Sequence, residues 1–228
     1  MNEKEQLITS LIAEGYLKTP AIIEAFRAID RKDFVPRGRG AALRGVPDNL
    51  DELAYINEPL PIGHGQTISQ PLTVAFLLEL LEPKPGEHIL DVGSGSGWTS
   101  ALLAHAVSGV KSQESRKSGE VVAVERIPEL CKFGETNVGK YNFVKKGVVR
   151  FICGDATLAL EGAEKFDKIL SGAAAQDAIP EEWKKQLATH GRIVAPVGQS
   201  VVVLDKISEK KFETKEYHGF SFVPLMRD

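Results

Sequence analysis

The sequence is poor in the residues that build metal sites and disulfide frameworks. Among its 228 residues there are two cysteines, Cys131 and Cys153, and five scattered histidines. Two cysteines are too few for a disulfide framework, and the histidines are not spaced as zinc ligands. We therefore expect two reduced, mostly buried thiols and no bound metal.

Long apolar runs and an excess of positive charge are also missing. The longest apolar candidate, residues 74–81, contains Glu79 and is far shorter than the roughly 20 residues that cross a membrane. Lysine and arginine number 28 against 31 acidic residues, and the net charge of −3 gives no overall attraction to nucleic acids. The first five residues do not have the pattern of a signal peptide. We expect a cytoplasmic monomer that binds neither nucleic acid nor membranes.

The most informative stretch lies in the middle of the chain. A short apolar run, residues 89–92, predicts a buried strand, and Gly93, Gly95 and Gly97 follow at every second position. Residues 98–107 then predict a helix. Glycines let the backbone turn sharply and let a ligand approach, and the start of the helix offers free N–H groups. Strand, turn and helix together form half of a nucleotide-binding unit.

Strands alternate with helices after this turn, which predicts an α/β protein with a doubly wound, mostly parallel seven-stranded sheet. The last two strands are expected to pair antiparallel, and Gly191 to cap the helix before the fifth strand. The ligand should lie beyond the carboxyl ends of the strands. The six further strands are predicted at residues 121–124, 148–153, 166–170, 192–197, 200–206 and about 220–225, and the helices at residues 128–141 and 181–188.

The N-terminal part of the chain has a helical pattern. Leu7, Ile8, Leu11 and Ile12 recur at helical spacing, and the pair Thr19-Pro20 is typical of a helix start, with Thr19 as the N-cap. We expect residues 1–82 to form a helical module with a covering loop. This module should pack as one globular unit with a ligand-binding core, residues 83–228.

Two loops are predicted within this module. Residues 37–51 have no periodicity and predict an extended surface loop. Residues 55–71 are too rich in proline and glycine for a regular element and too apolar for a solvated linker, so they predict a loop packed onto the core. Residues 73–81 then predict a short buried helix.

Acidic residues end three of the predicted strands. Glu125 can accept two hydrogen bonds from a ribose diol, and Asp155 can accept one from an adenine amino group. Asp91, beside the turn, suits a cationic ligand such as S-adenosylmethionine better than the pyrophosphate of NAD. The glycine spacing is neither the dinucleotide motif nor the P-loop. Separately, each acid has a plainer interpretation: Asp91 as a turn or capping residue, Glu125 as a solvated strand end, and Asp155 as part of a simple turn.

The spacing and the acids resemble class I S-adenosylmethionine-dependent methyltransferases. Residues 59–63 (PLPIG) and 65–69 (GQTIS) point to one family within this class, because they resemble the signature of protein-L-isoaspartate O-methyltransferases. The resemblance continues in order through the glycine turn and the three acids to residues 222–225 (FVPL). It implies a Rossmann-like methyltransferase fold. It also implies methyl transfer from S-adenosyl-L-methionine to the α-carboxylate of L-isoaspartyl residues in damaged proteins, which are repaired through this ester.

The resemblance also implies the site residues. Ser69 takes the catalytic position, where its hydroxyl would hydrogen-bond the substrate carboxylate. A carboxylate is already ionised at neutral pH, so no strong base is needed; the site must instead align the reacting atoms and exclude water. Alternatively, Ser69 caps the helix that starts near Pro71. The implied cofactor-binding residues are Thr67, Ile68, Asp91, Gly93, Ser94, Gly95, Gly97, Glu125, Arg126, Asp155 and Ala156.

Some positions depart from the family pattern. Asn57 stands where the family usually has aspartate, and Gln70 and Leu72 replace a small residue and a histidine. His64 matches a variable position and is expected at the surface or in packing. These departures leave open a methyltransferase of the same fold that acts on another carboxylate, such as an aspartyl peptide or a small molecule, or on RNA. A cofactor-binding module without catalysis and an NAD-dependent oxidoreductase are more distant alternatives.

Overall fold

In a computed structural model of the chain, residues 2–37, 53–108, 119–158, 160 and 165–225 are described. Most of the predicted loop 37–51 lies outside this part, and so do residues 109–118, between the helix predicted at residues 98–107 and the strand predicted at residues 121–124. The α-helices are α1 (Glu3–Ala13), α2 (Pro20–Ala28), α3 (Pro71–Leu81), α4 (Trp98–Val107), α5 (Pro128–Gly139) and α6 (Glu181–Gln186). The strands are β1 (Leu60–Gly63), β2 (Gln66–Ile68), β3 (His88–Val92), β4 (Glu120–Glu125), β5 (Val149–Cys153), β6 (Phe166–Ser171), β7 (Leu187–Val197), β8 (Ser200–Lys206) and β9 (Phe212–His218).

Seven of the strands form one twisted sheet in the order β5-β4-β3-β6-β7-β8-β9. The first five in this order are parallel, whereas β8 is antiparallel to both of its neighbours. The predicted α/β class and mostly parallel sheet are confirmed. Because β3 lies between β4 and β6, the direction of winding reverses beside β3, and the ligand site of such sheets is found at this point.

Apolar residues on the two faces of the sheet belong to two separate cores. Ile89 packs with the helices α1 to α5, whereas the next residue, Leu90, points to the other face. The second core is centred on Trp183 of α6 and Phe166, both fully buried. None of the helices in the described part of the chain is long and apolar enough to cross a membrane.

Thr19 is the N-cap of α2 and Pro20 is its first residue, as predicted. The Thr19 hydroxyl does not bond the helix, however, but donates to Glu79 Oε2 at 2.7 Å. The same carboxylate accepts from the Thr19 and Lys18 backbone N–H groups at 2.7 and 2.8 Å. Glu79, which interrupts the apolar run, therefore ties the start of α2 to α3.

The prediction that residues 55–71 contain no regular element is wrong. β1 and β2 form an antiparallel hairpin, with a register shift between Pro61 and Gly63. His64 is exposed at its tip with a φ of 54°, and Gly65 follows with a φ of 70°. A short hairpin with these two residues in the left-handed region needs no alternating apolar pattern, so the sequence offers no periodicity to detect it.

The predicted helix over residues 181–188 is also too long, and Gly191 does not cap it. The chain turns extended at Leu187, and Gly191 lies inside β7. A Cβ at Gly191 would lie 2.8 Å from the carbonyl oxygen of Asp167 on the neighbouring strand, and His190 has a φ of 66°. The glycine is therefore explained by close strand packing at an irregular pairing between β6 and β7.

The predicted last strand at residues 220–225 is wrong as well. The last strand of the sheet is instead β9, which pairs antiparallel with β8 and lies in the charged stretch between the two predicted strands 200–206 and 220–225. β9 is the edge of the sheet, where charged side chains reach solvent. Residues 221–225, which we call the closing segment, instead cross the carboxyl edge of the sheet. Ala174 N–H donates to Val223 O at 2.8 Å, and Leu225 N–H donates to Ala174 O at 2.7 Å.

The two cysteines are not free thiols, contrary to prediction. Cys131 on α5 and Cys153 at the end of β5 form a disulfide. Only Cys131 is buried, since Cys153 is exposed. The disulfide fixes α5 to the end of β5, and it removes the cysteine-based argument for a reducing compartment.

Candidate functional site

A pocket opens at the carboxyl ends of β3 and β4, and we call it the turn pocket. Its walls come from the glycine turn after β3, the end of β4, the residues after β6 and the closing segment. All of the predicted site residues except Gly97 and Asp155 line it. Sequence reasoning missed the other lining residues, which are Gln66, Val92, Ser96, Trp98, Thr99, Val124, Ile127, Gly154, Gly172, Ala173, Val223, Pro224 and Leu225.

The backbone of the glycine turn has conformations that residues with a side chain rarely adopt. Gly93, Gly95 and Gly97 have φ values of 71°, 51° and 83°. The N–H groups of Gly93 and Ser94 both donate to Val124 O, at 2.9 and 3.1 Å, so the turn is fastened to β4. A Cβ at Gly95 would lie 3.3 Å from Ile62 Cδ1. The hairpin therefore packs directly on the turn.

Gly97 serves a structural purpose at this turn. A Cβ there would lie 2.8 Å from Gly134 O and 2.9 Å from Val138 Cγ2 of α5. On α5, Gly134 is equally confined, because its own Cβ would lie 2.9 Å from Gly95 O. Asn137 adds a hydrogen bond from Nδ2 to Ser96 O at 3.0 Å. The turn is thus held against α5 by backbone contact, and Gly97 shapes the pocket without lining it.

Glu125 connects the turn to the end of β4. It is buried, and its Oε2 accepts from Gly95 N–H while its Oε1 accepts from Ile127 N–H, both at 2.9 Å. Each carboxylate oxygen can accept a further hydrogen bond. Glu125 is therefore not a simple solvated strand end; it orders the turn and still offers acceptors to the turn pocket. Arg126 beside it is exposed and also lines the pocket.

Asp91 lies at the base of the turn pocket and is almost completely buried. Its Oδ2 accepts from Ser100 Oγ at 2.6 Å. Burial raises the pKa of Asp91 from 3.8 to about 7, and the charge of Glu125 adds to the rise, while the Ser100 hydrogen bond opposes it. A cationic group placed beside Asp91 would favour its ionised form.

Asp155 is placed differently from the other two acids. Its Oδ1 accepts from Thr157 N–H at 2.7 Å, as in an Asx turn, and Asp155 does not line the pocket. Its neighbours Gly154 and Ala156 do line the pocket. The carbonyl of Ala156 accepts from the buried Trp183 Nε1 at 2.6 Å, so this wall is fixed to the second core.

Two buried donors in the wall have no protein partner. Ser94 Oγ and Trp98 Nε1 make no hydrogen bond within the described part of the chain, although Ser94 and Trp98 are only 6% and 3% exposed. Buried polar atoms without partners are uncommon in proteins. Both residues line the pocket at the start of α4, where N–H groups also favour an anion. Donors here, with Asp91 and Glu125 as acceptors, fit the carboxylate, ammonium and ribose of S-adenosylmethionine.

A second pocket, the adjoining pocket, lies directly beside the first. One side is formed by the hairpin and α3, through Pro59, Gln70 and Thr73, and the other by residues 221–223. The two pockets share Thr67, Ser69, Gly172 and Val223. In the described part of the chain, no group of three or more His, Cys, Asp or Glu side chains is arranged to hold a metal ion.

Ser69 therefore lies where the two pockets meet. It does not cap α3, since the N-cap residue is Gln70 and no side chain caps this helix. Its hydroxyl makes no hydrogen bond to any part of the chain that the structure describes. Its carbonyl oxygen is held by Arg31 Nη2 at 3.1 Å. The side chain is thus available at the junction while the backbone is fixed.

The sequence model described as protein-L-isoaspartate(D-aspartate) O-methyltransferase (PCMT) matches residues 2–228. The chain belongs to this family. It is 35% identical over 227 residues to a protein-L-isoaspartate O-methyltransferase of Methanopyrus kandleri, covering 98% of this chain and 91% of that protein. It is 37% identical over 226 residues to the enzyme of the same name from Methanothrix thermoacetophila, covering 98% and 94%.

A solved structure has the same fold. It is the putative protein-L-isoaspartate O-methyltransferase of Plasmodium falciparum in complex with S-adenosyl-L-homocysteine, with a TM-score of 0.82, 24% identity and complete coverage of both chains. A second structure, named protein-L-isoaspartate O-methyltransferase, matches with a TM-score of 0.79 at 22% identity, covering 98% of this chain and 66% of that one. At these identities the likeness shows the PCMT fold.

The departures from the family pattern have different structural consequences. Asn57 Oδ1 accepts from Leu72 N–H at 2.9 Å, a bond that an aspartate would also accept. Leu72 lines neither pocket and packs against the core. Gln70 lines the adjoining pocket, and its Oε1 lies 3.4 Å from Thr73 Oγ1. Of the three departures, Gln70 alone changes the lining of a pocket.

Proposed function

We propose that this PCMT-family enzyme transfers a methyl group from S-adenosyl-L-methionine to the α-carboxylate of L-isoaspartyl residues in damaged proteins. The observation that carries the proposal is the junction at Ser69. There the turn pocket, with its donors and acceptors for the cofactor, meets an adjoining pocket that is lined by separate segments of the chain. Two ligands bound in these pockets would come together at Thr67 and Ser69.

When bound, S-adenosylmethionine supplies an electrophilic methyl group on a sulfonium. A carboxylate oxygen displaces the neutral thioether, so no proton has to be moved. The Ser69 hydroxyl, which has no protein partner among the described residues, would donate to the acceptor carboxylate and fix its direction of approach. Ile62 of β1 and Ile68 of β2 are both buried, and their side chains would help to exclude water from the junction.

The proposed roles on the cofactor side follow from the geometry described above. Asp91 would hold the ammonium group, Glu125 the ribose, and Ser94 with Trp98 the carboxylate. Ala156 and Gly154 would form the wall beside the adenine, with Asp155 shaping that wall through its Asx turn. Gly93 and Gly95 would leave room for the ligand. Thr67, Ile68 and Arg126 would complete the lining.

We further propose that residues 1–82 cover a cofactor bound to residues 83–228, and that the two parts act as one unit. Buried residues of α2 and α3 share one core with β3 and α4, which supports this. Monomeric state, a cytoplasmic location and the lack of nucleic-acid or membrane partners also remain proposals. Light scattering of the purified protein would test the first of them.

Matched peptides that differ only in an isoaspartyl or an aspartyl residue test the main proposal. With labelled S-adenosylmethionine, base-labile label should appear on the isoaspartyl peptide alone. Label on neither peptide would overturn the proposal. Equal label on both would favour a broader carboxylate methyltransferase, a candidate that Gln70 in the adjoining pocket supports.

A further inference from the structure

Arg31 is a buried cation that neither pocket uses directly. It is 2% exposed and lies at the start of a short 3₁₀ turn, Arg31–Phe34. No carboxylate in the described ranges forms an ion pair with it, and burial lowers its pKa to about 9, so it remains charged at neutral pH. Its Nε is buried without a hydrogen-bond partner among these residues. Burial of a charge without a counter-ion costs free energy, which indicates that Arg31 does more than fill space in the core.

The guanidinium gathers carbonyl groups from both sides of the hairpin. Nη1 donates to Ala54 O at 2.7 Å and, more weakly, to Ile56 O at 3.3 Å. Nη2 donates to Glu58 O at 2.9 Å and to Ser69 O at 3.1 Å. The first three carbonyls precede β1 and the fourth follows β2. One planar group therefore closes the base of the hairpin and fixes the backbone of Ser69.

The same guanidinium also contacts the cofactor side. Its central carbon lies 5.3 Å from the centre of the Trp98 indole ring, a cation–π distance. Trp98 lines the turn pocket and is supported from its edge by Phe26, at 5.6 Å between ring centres. Arg31 thus touches Trp98, which lines the turn pocket, and Ser69, which both pockets share.

The backbone around Arg31 is held from two directions. Tyr55 Oη donates to Asp30 Oδ1 at 2.6 Å, and Asp30 N–H donates to Tyr141 Oη at 2.8 Å. Tyr141 Oη in turn donates to Asp33 Oδ2 at 2.8 Å. Both acids flank Arg31, and Tyr141 follows α5, the helix that packs on the glycine turn. The position of Arg31 is therefore set both from the segment before the hairpin, through Tyr55, and from the end of α5, through Tyr141.

We propose that Arg31 is a positioning residue that places Ser69 for methyl transfer and whose unpaired charge favours an anionic acceptor. The inference rests on the proposed function. The fork of the guanidinium supplies the placement, because only a planar group can reach carbonyls on both sides of the hairpin. The charge acts at short range through the Ser69 peptide, inside the protein, where screening by water is weak.

Two substitutions separate these effects. Arg31→Lys keeps the charge and loses the fork, whereas Arg31→Met keeps most of the length and loses both. In Arg31→Lys we expect kcat to fall about tenfold or more, with the KM for the isoaspartyl peptide little changed. In Arg31→Met the peptide KM should also rise about tenfold. The affinity for S-adenosylhomocysteine, measured by calorimetry, should stay within about threefold of wild type for Arg31→Lys.

Arg27→Met is the matched control, since Arg27 is an exposed arginine of α2 that pairs only with Glu5 in the described part of the chain. It should leave kcat and KM unchanged. A double-mutant cycle with Ser69→Ala adds a second readout. If Arg31 acts through Ser69, Arg31→Lys should cost much less in kcat when Ser69 is already alanine. The cycle uses Arg31→Lys and not Arg31→Met, so it can be measured even if Arg31→Met does not fold.

The outcomes distinguish the two proposals. A wild type that methylates no isoaspartyl peptide overturns the proposed function, and the inference falls with it. An active wild type with unchanged kcat in Arg31→Lys, or with strictly additive effects in the cycle, overturns the inference alone. An equal loss of kcat and of S-adenosylhomocysteine affinity also overturns it, because Arg31 would then act on the turn pocket.

Discussion

On the cofactor side of the molecule, backbone atoms of the glycine turn touch backbone atoms of α5, whereas on the acceptor side carbonyl groups are gathered around one guanidinium. Gly97 and Gly134 leave no room for a Cβ, and both oxygens of Glu125 are bonded to the backbone. The hairpin at the other side is held by four hydrogen bonds from Arg31. Steric contact makes the first side intolerant of added volume, while the second side depends on directed hydrogen bonds.

The largest effect is expected from adding volume on the cofactor side. In Gly134→Ala the new Cβ would meet Gly95 O at 2.9 Å and Phe151 Cε1 at 3.0 Å, so the turn or the helix must shift. We expect the free energy of unfolding to fall by about 1–3 kcal/mol. Binding of S-adenosylhomocysteine, measured by calorimetry, should weaken by about 100-fold or more, equivalent to about 2.7 kcal/mol.

Gly139→Ala is the control in the same helix. Nothing lies within 4 Å of its Cβ position, so this change should leave binding intact and raise stability by up to about 1 kcal/mol. Similar losses in both variants would show that glycine in α5 matters for helix flexibility rather than for contact with the turn.

The disulfide should have the next largest effect, again on the cofactor side. Cys131 and Cys153 are 22 residues apart, and closing such a loop stabilises a fold by about 3 kcal/mol through the unfolded chain. The double variant Cys131→Ser/Cys153→Ser should unfold at a correspondingly lower urea concentration. A reductant should lower the midpoint of the wild type and leave that of the double variant unchanged. An unaltered wild-type midpoint would contradict the pairing.

Ser69→Ala tests the acceptor side. Loss of one hydrogen bond to a charged group should lower kcat about 10- to 100-fold. The affinity for S-adenosylhomocysteine should change little, which separates the two pockets experimentally. Ser208→Ala, at an exposed position, is the control and should retain full activity. Unchanged turnover in Ser69→Ala would remove Ser69 from the mechanism.

The smallest effect is a pH dependence on the cofactor side. Because burial raises the pKa of Asp91 to about 7, ionisation of Asp91 should accompany binding of the ammonium group of S-adenosylhomocysteine. The affinity for S-adenosylhomocysteine should rise up to about tenfold between pH 6 and pH 8, with proton release detectable in buffers of different ionisation enthalpy. Asp91→Asn should abolish both the rise and the proton release.

The stability of the ligand-free protein should change in the opposite direction. In the folded protein Asp91 keeps its proton up to about pH 7, whereas in the unfolded chain, where its pKa is 3.8, it loses the proton at a lower pH. The resulting stabilisation is complete below pH 3.8 and is lost as pH rises through 7. The unfolding temperature of the wild type relative to Asp91→Asn should therefore decline over this interval. A constant difference would show that Asp91 is ionised throughout.

Sequence reasoning predicted the parallel core because buried strands and helices carry their own periodicity. The helix predicted at residues 98–107 has the observed bounds of α4. The edge strand β9 could not be found in this way, since it has one neighbour and keeps its charged side chains in solvent. The spacing of Cys131 and Cys153 likewise does not predict their disulfide, because only the packing of α5 beside β5 brings them together.

The residues of the candidate site also fall into two groups, those that a local sequence pattern predicts and those that only the fold brings together. The glycines, Asp91 and Glu125 could be predicted because they lie at or directly after the carboxyl ends of strands that share one edge of the sheet. Residues 223–225 come from the far end of the described chain, and Gly172 with Ala173 from the turn after β6. Nothing local marks them as lining residues; only the order of strands in the sheet places them there. Arg31 was missed for a related reason, since its partners are carbonyl groups, which every residue has.

The closing segment is attached to the sheet edge by the two hydrogen bonds between Ala174 and its neighbours Val223 and Leu225. The amide protons involved belong to Ala174 and Leu225, so they exchange with solvent whenever this segment lifts away. Amides in β3 and β4, in the middle of the sheet, exchange only when the whole domain opens. Comparing the hydrogen-exchange rates of the Ala174 and Leu225 amides with those of amides in β3 and β4 would therefore measure how often the closing segment opens, separately from global unfolding.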